Sequence, residues 1–96
     1  MQTRSLGRCG LSVSEVGLGT WALASEIYGS VSSTDATDTV RAALDAGITL
    51  FDTAPLYGNA TTDGIAETRL AEALGTDTHR VLISTKFGRY SSDGAA

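Results

Sequence analysis

One lysine, one histidine and one cysteine are all that this 96-residue chain holds of those types, and each scarcity excludes something. With Cys9 alone there is no internal disulfide and no multi-cysteine metal site, and the thiol reads as a reduced, exposed residue of a turn. The formal net charge is -4, and the seven basic residues are scattered rather than gathered into a stripe, which speaks against a nucleic-acid partner. No apolar run approaches the ~18 residues of a membrane span, and the opening MQTRSLGRCG has no apolar centre of the signal-peptide kind. The expectation is a cytoplasmic protein that neither crosses nor coats a membrane.

What is present, 42% apolar and 19% charged residues, is the composition of an ordinary globular chain. No repeat, low-complexity tract or internal boundary divides residues 1–96, so the chain reads as one domain. In TRSLGRCGLSVS two short runs flank a glycine-containing turn, which predicts a hairpin over about residues 3–14. EVGLGTW follows as a short glycine-rich strand. From Ser33 the period changes: Ser and Thr offer caps, acids fill the first turn, and Ala36, Val40, Ala43 and Leu44 recur at helical spacing until Gly47. ITLFDTA is then a near-continuous apolar run, the pattern of a strand covered on both faces. After the polar loop GNATTDG, Ala66, Leu70, Ala73 and Leu74 mark a second helix that stops at Gly75. RVLISTK repeats the buried-strand pattern, and FGRYSSDGAA loses all periodicity.

Hairpin, strand, helix, strand, helix, strand is the order of right-handed βαβ units, and predicts an α/β fold with a parallel sheet. No helix follows Val81–Ser84 to cover the third strand. The sheet would have two open edges, which invite pairing with a second copy or a complementary chain.

Reactive groups in such folds gather at the carboxyl ends of the strands. Asp52 stands there on the second parallel strand, Tyr57 on the loop after it, and Lys86, the only lysine, at the end of the third. Neighbouring strands lie ~4.8 Å apart, so Asp52 and Lys86 come within salt-bridge reach with Tyr57 leaning over them. A phenol is ordinarily a poor acid at neutral pH; a nearby ammonium stabilises its phenolate, and a carboxylate keeps that ammonium charged. Such a trio suits delivery of a proton to a carbonyl oxygen as hydride arrives at its carbon. The spacing equally admits a plain structural ion pair beside a packed tyrosine.

RSLGRCGLSVSEVGLGTW, AALDAGITLFDTAPLYGN and RVLISTKFGR resemble consecutive blocks of the aldo-keto reductases, and FDTAPLYG is similar to the sugar and aldose dehydrogenases among them. The resemblance implies a partial (β/α)8 TIM barrel whose floor is closed by the hairpin. It further implies NADP(H) or NAD(H) as cofactor, a small carbonyl or sugar as substrate, and Asp52, Tyr57 and Lys86 as catalytic residues. Gly19, Thr20 and Trp21, with Asp52, would line the nicotinamide site, and Trp21 and Tyr28 the substrate pocket. The family's fourth catalytic residue, a histidine after the next strand, has no counterpart; His79 precedes the third strand and belongs to the opposite end of the sheet. The loops that hold the cofactor's pyrophosphate and adenosine in the family are also missing, so these residues alone are expected to bind cofactor poorly and to be inactive. The stretch also has Ala71 where the family commonly has glycine, and a slightly long loop in NATTDGIAE.

Two other readings compete. GLGTWA, Gly17–Ala22, fits the dinucleotide fingerprint G-x-G-x-x-A, but that motif needs a helix at once, whereas the next helical pattern begins near Asp35 and would enclose Asp38, the candidate ribose-binding acid. The other is a non-catalytic module that self-associates or binds a partner through its sheet edges.

Overall fold

A computed structural model describes residues 1–24, 29–59 and 61–88. Strands β1 (Thr3–Ser5) and β2 (Ser12–Ser14) pair antiparallel, Thr3 opposite Ser14. The turn between them carries Cys9, exposed as expected. Strands β3 (Gly17–Gly19), β4 (Leu50–Asp52) and β5 (Leu82–Ser84) form a parallel sheet in that order, with Gly19, Asp52 and Ser84 in register. Helices α1 (Ser33–Asp45) and α2 (Ile65–Leu74) are the two crossovers and pack on each other. Among the described residues the sheet is open at both edges, an α/β fragment with parallel strands and no closed barrel.

The helices begin and end where local chemistry allows. Ser32 caps α1 by accepting from the Asp35 amide at 3.0 Å, satisfying one of the orphan donors of the first turn. At the other end Gly47 takes a φ of +95°. Its amide donates to Leu44, and the Ile48 amide to Ala43, each at 3.0 Å, a paired closure that needs a left-handed residue at this position. The apolar stripes face the sheet: Ala36 and Val40 of α1 and Leu70 and Leu74 of α2 are buried around Phe51 of β4. Phe51 stands in register with Leu18 and Ile83, so all three share the helix-side face. Ile83 nevertheless stays 41% exposed, because β5 is an edge strand of the described sheet and only α2 borders it on that face.

Two short 3-10 helices, Trp21–Leu23 and Gly75–Arg80, were not legible as periodic patterns. Such turns are too short to carry a repeat. The competing fingerprint fails structurally: Gly17 and Gly19 lie within β3, not on a strand-to-helix turn, and Asp38 sits inside α1.

The hairpin docks at the amino ends of the parallel strands. Ser14 and Thr49 exchange two bonds of 2.9 Å, each amide donating to the other's hydroxyl, and Thr49 immediately precedes β4. The hairpin thus closes the face opposite the strands' carboxyl ends, leaving the latter open.

Candidate active site

Because β4 and β5 are in register at Asp52 and Ser84, Lys86 emerges beside Asp52 at the carboxyl edge of the sheet. Its ammonium donates to both carboxylate oxygens, at 3.3 Å to Oδ1 and 3.2 Å to Oδ2, and to the Thr53 carbonyl at 2.8 Å. Nζ also lies 5.1 Å from the centroid of the Tyr57 ring, over its face, within cation–π range. The pair is half open to solvent, with side chains 51% and 47% exposed for Lys86 and Asp52. Desolvation pulls the Lys86 ammonium downward, but hydrogen bonding to Asp52 and Tyr57, together with their charges, outweighs it and holds the group above its ordinary value.

Tyr57 is held by its own backbone. Its amide donates to Ala54 at 3.1 Å, and its carbonyl accepts from the Ala66 amide in the first turn of α2 at 2.9 Å. The loop beyond is tied by the Asn59 carboxamide oxygen, which accepts from the amides of Thr61 and Thr62, both at 2.9 Å. Trp21, 43% exposed, faces Tyr57 with ring centroids 6.2 Å apart and planes tilted by 32°. Asp52, Tyr57, Lys86 and Trp21 therefore form one continuous surface.

The other expected positions differ in what they present. Gly19 is exposed, and a Cβ built there would meet nothing within 4 Å, so space stands open above the end of β3. Thr20 is fully buried, and both its amide and its hydroxyl donate to the Asp52 carbonyl, at 3.0 and 2.9 Å. Thr20 thus fastens β3 to β4, and its hydroxyl faces the strand rather than the open rim. Tyr28 lies outside the described residues. His79 is exposed on the 3-10 helix before β5, with Nδ1 2.6 Å from the Thr76 carbonyl, on the far side of the sheet from Lys86. Among the described residues no group of three or more His, Cys, Asp or Glu is placed to hold a metal ion.

Sequence reasoning passed over two residues of α2. Glu67 Oε2 accepts from the Thr85 hydroxyl at 2.7 Å, next to Lys86. Arg69 donates to the carbonyls of Leu23 and Val31, the second at 2.8 Å. A signal for Arg69 existed: it falls three residues after Ala66 and four before Ala73, inside the apolar stripe, where a charge needs a reason.

A lysine paired to an aspartate under a tyrosine marks the carboxyl edge of the parallel sheet, and similarity to known proteins decides its kinship. The sequence model of the aldo/keto reductase family matches residues 15–96. This chain belongs to the aldo/keto reductase family. Among characterised relatives it is 41% identical over 95 residues to a pyridoxal 4-dehydrogenase of Microbacterium luteolum, covering 99% of this chain and 26% of that protein. It is 40% identical over 90 residues to an L-galactose dehydrogenase of Arabidopsis thaliana, covering 94% and 28%. A solved Pseudomonas aeruginosa structure, assigned as an aldo-keto reductase, superposes with a TM-score of 0.77 at 36% identity over 96% of this chain and 33% of its own. The chain thus spans between a quarter and a third of the length of these aldo-keto reductases.

Proposed function

We propose that this chain forms the amino-terminal, proton-delivering part of an NAD(P)-dependent oxidoreductase acting on a small carbonyl or sugar substrate. The observation that carries the reading is the three-way contact of Lys86 with Asp52, the Thr53 carbonyl and the Tyr57 ring. The residues present fit a nicotinamide: open space above Gly19, an exposed Trp21 face and a half-exposed cationic pair line one rim. When bound, the nicotinamide supplies the hydride. Tyr57 gives its phenolic proton to the substrate oxygen as negative charge gathers there, or takes it back in the oxidative direction. The Lys86 ammonium over the ring stabilises the phenolate left behind, and Asp52 keeps that ammonium charged and fixed in place. Trp21, stacked toward Tyr57, would wall the substrate on one side and exclude water.

The test is a chimera in which residues 1–96 replace the matching segment of a relative such as the L-galactose dehydrogenase. The expected result is measurable NAD(P)-linked turnover that falls by about 10²–10⁴ in kcat/KM on Tyr57→Phe, the usual worth of a positioned acid or base. Full activity in the Tyr57→Phe chimera would remove the reading. A second reading, an α/β module completed by another chain, is favoured by one observation, the 41% exposure of Ile83 beside the open β5 edge.

A further inference from the structure

The segment between β3 and α1 carries Trp21, and a single side chain reaches both of its described ends. Arg69, half-buried on α2, directs one nitrogen, Nη1, at the carbonyls of both Leu23 and Val31. Leu23 closes the short 3-10 helix that begins at Trp21, its amide donating to Thr20 at 3.0 Å, and its side chain is buried in the core. Val31 packs against that same core just before the α1 cap. Among the described residues Arg69 has no ion-pair partner, so its charge is spent on two neutral backbone acceptors. Charge-assisted bonds of this kind are stronger than neutral ones and fix direction as well as distance.

We infer that Arg69 is a positioning residue for the substrate pocket: it clamps both ends of the β3–α1 segment and thereby sets Trp21 against Tyr57. The inference rests on the reading of Trp21 as a pocket wall. On the other flank of Trp21, Thr20 is already locked to Asp52 through two bonds, so the backbone that carries the indole runs from an anchor on β4 to one on α2. With the second anchor lost, the 3-10 turn pivots about Thr20 and the 6.2 Å approach to Tyr57 opens.

Trp21 is the only tryptophan, so its fluorescence in the purified chain reads the clamp directly, without cofactor or turnover. In Arg69→Met, acrylamide should quench Trp21 about twofold more efficiently while the far-UV circular dichroism of the helices holds, as expected for local rather than global loosening. Arg69→Lys, whose ammonium can satisfy one carbonyl, should fall between. Arg41→Met is the control: that side chain bonds Ala73 and Asp77 at the far end of α2, so its loss should leave Trp21 quenching at the parent value. Unchanged quenching in folded Arg69→Met, or an equal rise in Arg41→Met, overturns the inference. Should Arg69→Met not fold, Arg69→Lys decides alone: a rise supports the clamp and parent-like quenching rejects it. Failure of the oxidoreductase reading would appear separately, in the activity of the Tyr57→Phe chimera.

Discussion

Gly58 shows how much of the site hangs on a residue without a side chain. A Cβ there would stand 1.8 Å from the Thr62 carbonyl oxygen and 2.8 Å from its carbon, both backbone atoms that cannot turn aside. Gly58→Ala must therefore move the loop that presents Tyr57, and a cost of about 1–3 kcal/mol is expected, readable as a lower urea midpoint. Lys86 is governed by charge instead. Its value is raised above 10.5, so the stabilisation from its pairing is complete below 10.5 and is lost as pH climbs through the folded value. In Lys86→Met that alkaline limb of the stability profile should flatten, while the neutral-pH helix signal persists because the residue lies on the exposed rim. An unchanged alkaline limb would mean the pair contributes nothing to folding. Asp52 and Lys86 were legible in the sequence because each ends an apolar run, where a charge is conspicuous. The need for Gly58 was not, since the atom it would strike belongs to a residue four places on, brought near only by the fold of the loop.

At the scale of elements, α2 is the piece that assembles the site. Its first turn takes the Tyr57 carbonyl through Ala66, Glu67 holds Thr85 beside Lys86, and Arg69 holds the segment behind Trp21. The far end of α2 is tied by a second cluster. Asp77, on the 3-10 helix that follows, accepts from Arg41 of α1 at 2.8 Å and from Arg80 at 3.2 Å. Hydrogen bonding to Arg41 first, and to Arg80 second, lowers the Asp77 carboxyl below 3.8. The stabilisation is therefore present above 3.8 and is lost as pH falls through the folded value. Asp77→Asn should lower thermal stability at pH 7 yet shrink the further loss on acidification, which melting curves across the acid range would register. Equal acid sensitivity in variant and parent would rule the clasp out as the cause. Both helices could be read from the apolar period and the glycines that stop them, Gly47 and Gly75. Contacts made by Arg41 and Arg69 could not, because their partners are backbone oxygens or an acid more than thirty residues away.

For the molecule as a whole, the decisive feature is a three-stranded sheet whose two edges are open among the described residues. The amide of Leu82 donates to Thr49 at 2.7 Å, and the carbonyl of Ser84 accepts from Thr53 at 2.8 Å, so the alternating groups of β5 that face β4 are satisfied. By the same alternation the amide and carbonyl of Ile83 point away from β4, along an edge that is open among the described residues, and its side chain is 41% exposed beside α2. Phe87, just beyond, is 96% exposed. Unpaired edge groups next to apolar side chains are a template for another strand. The 9.9 kDa chain is accordingly expected to sediment as a dimer or larger species at micromolar concentration. Ile83→Pro tests the edge specifically, because it deletes an outward-facing donor and leaves both bonds to β4 in place, a setting in which a strand tolerates proline. That variant should keep its helix signal and sediment as a monomer. A parent chain that is itself a folded 9.9 kDa monomer would show that the three-stranded sheet, its two α-helices and the docked hairpin suffice alone, and that the open edge is shielded by the brevity of β5, three residues long.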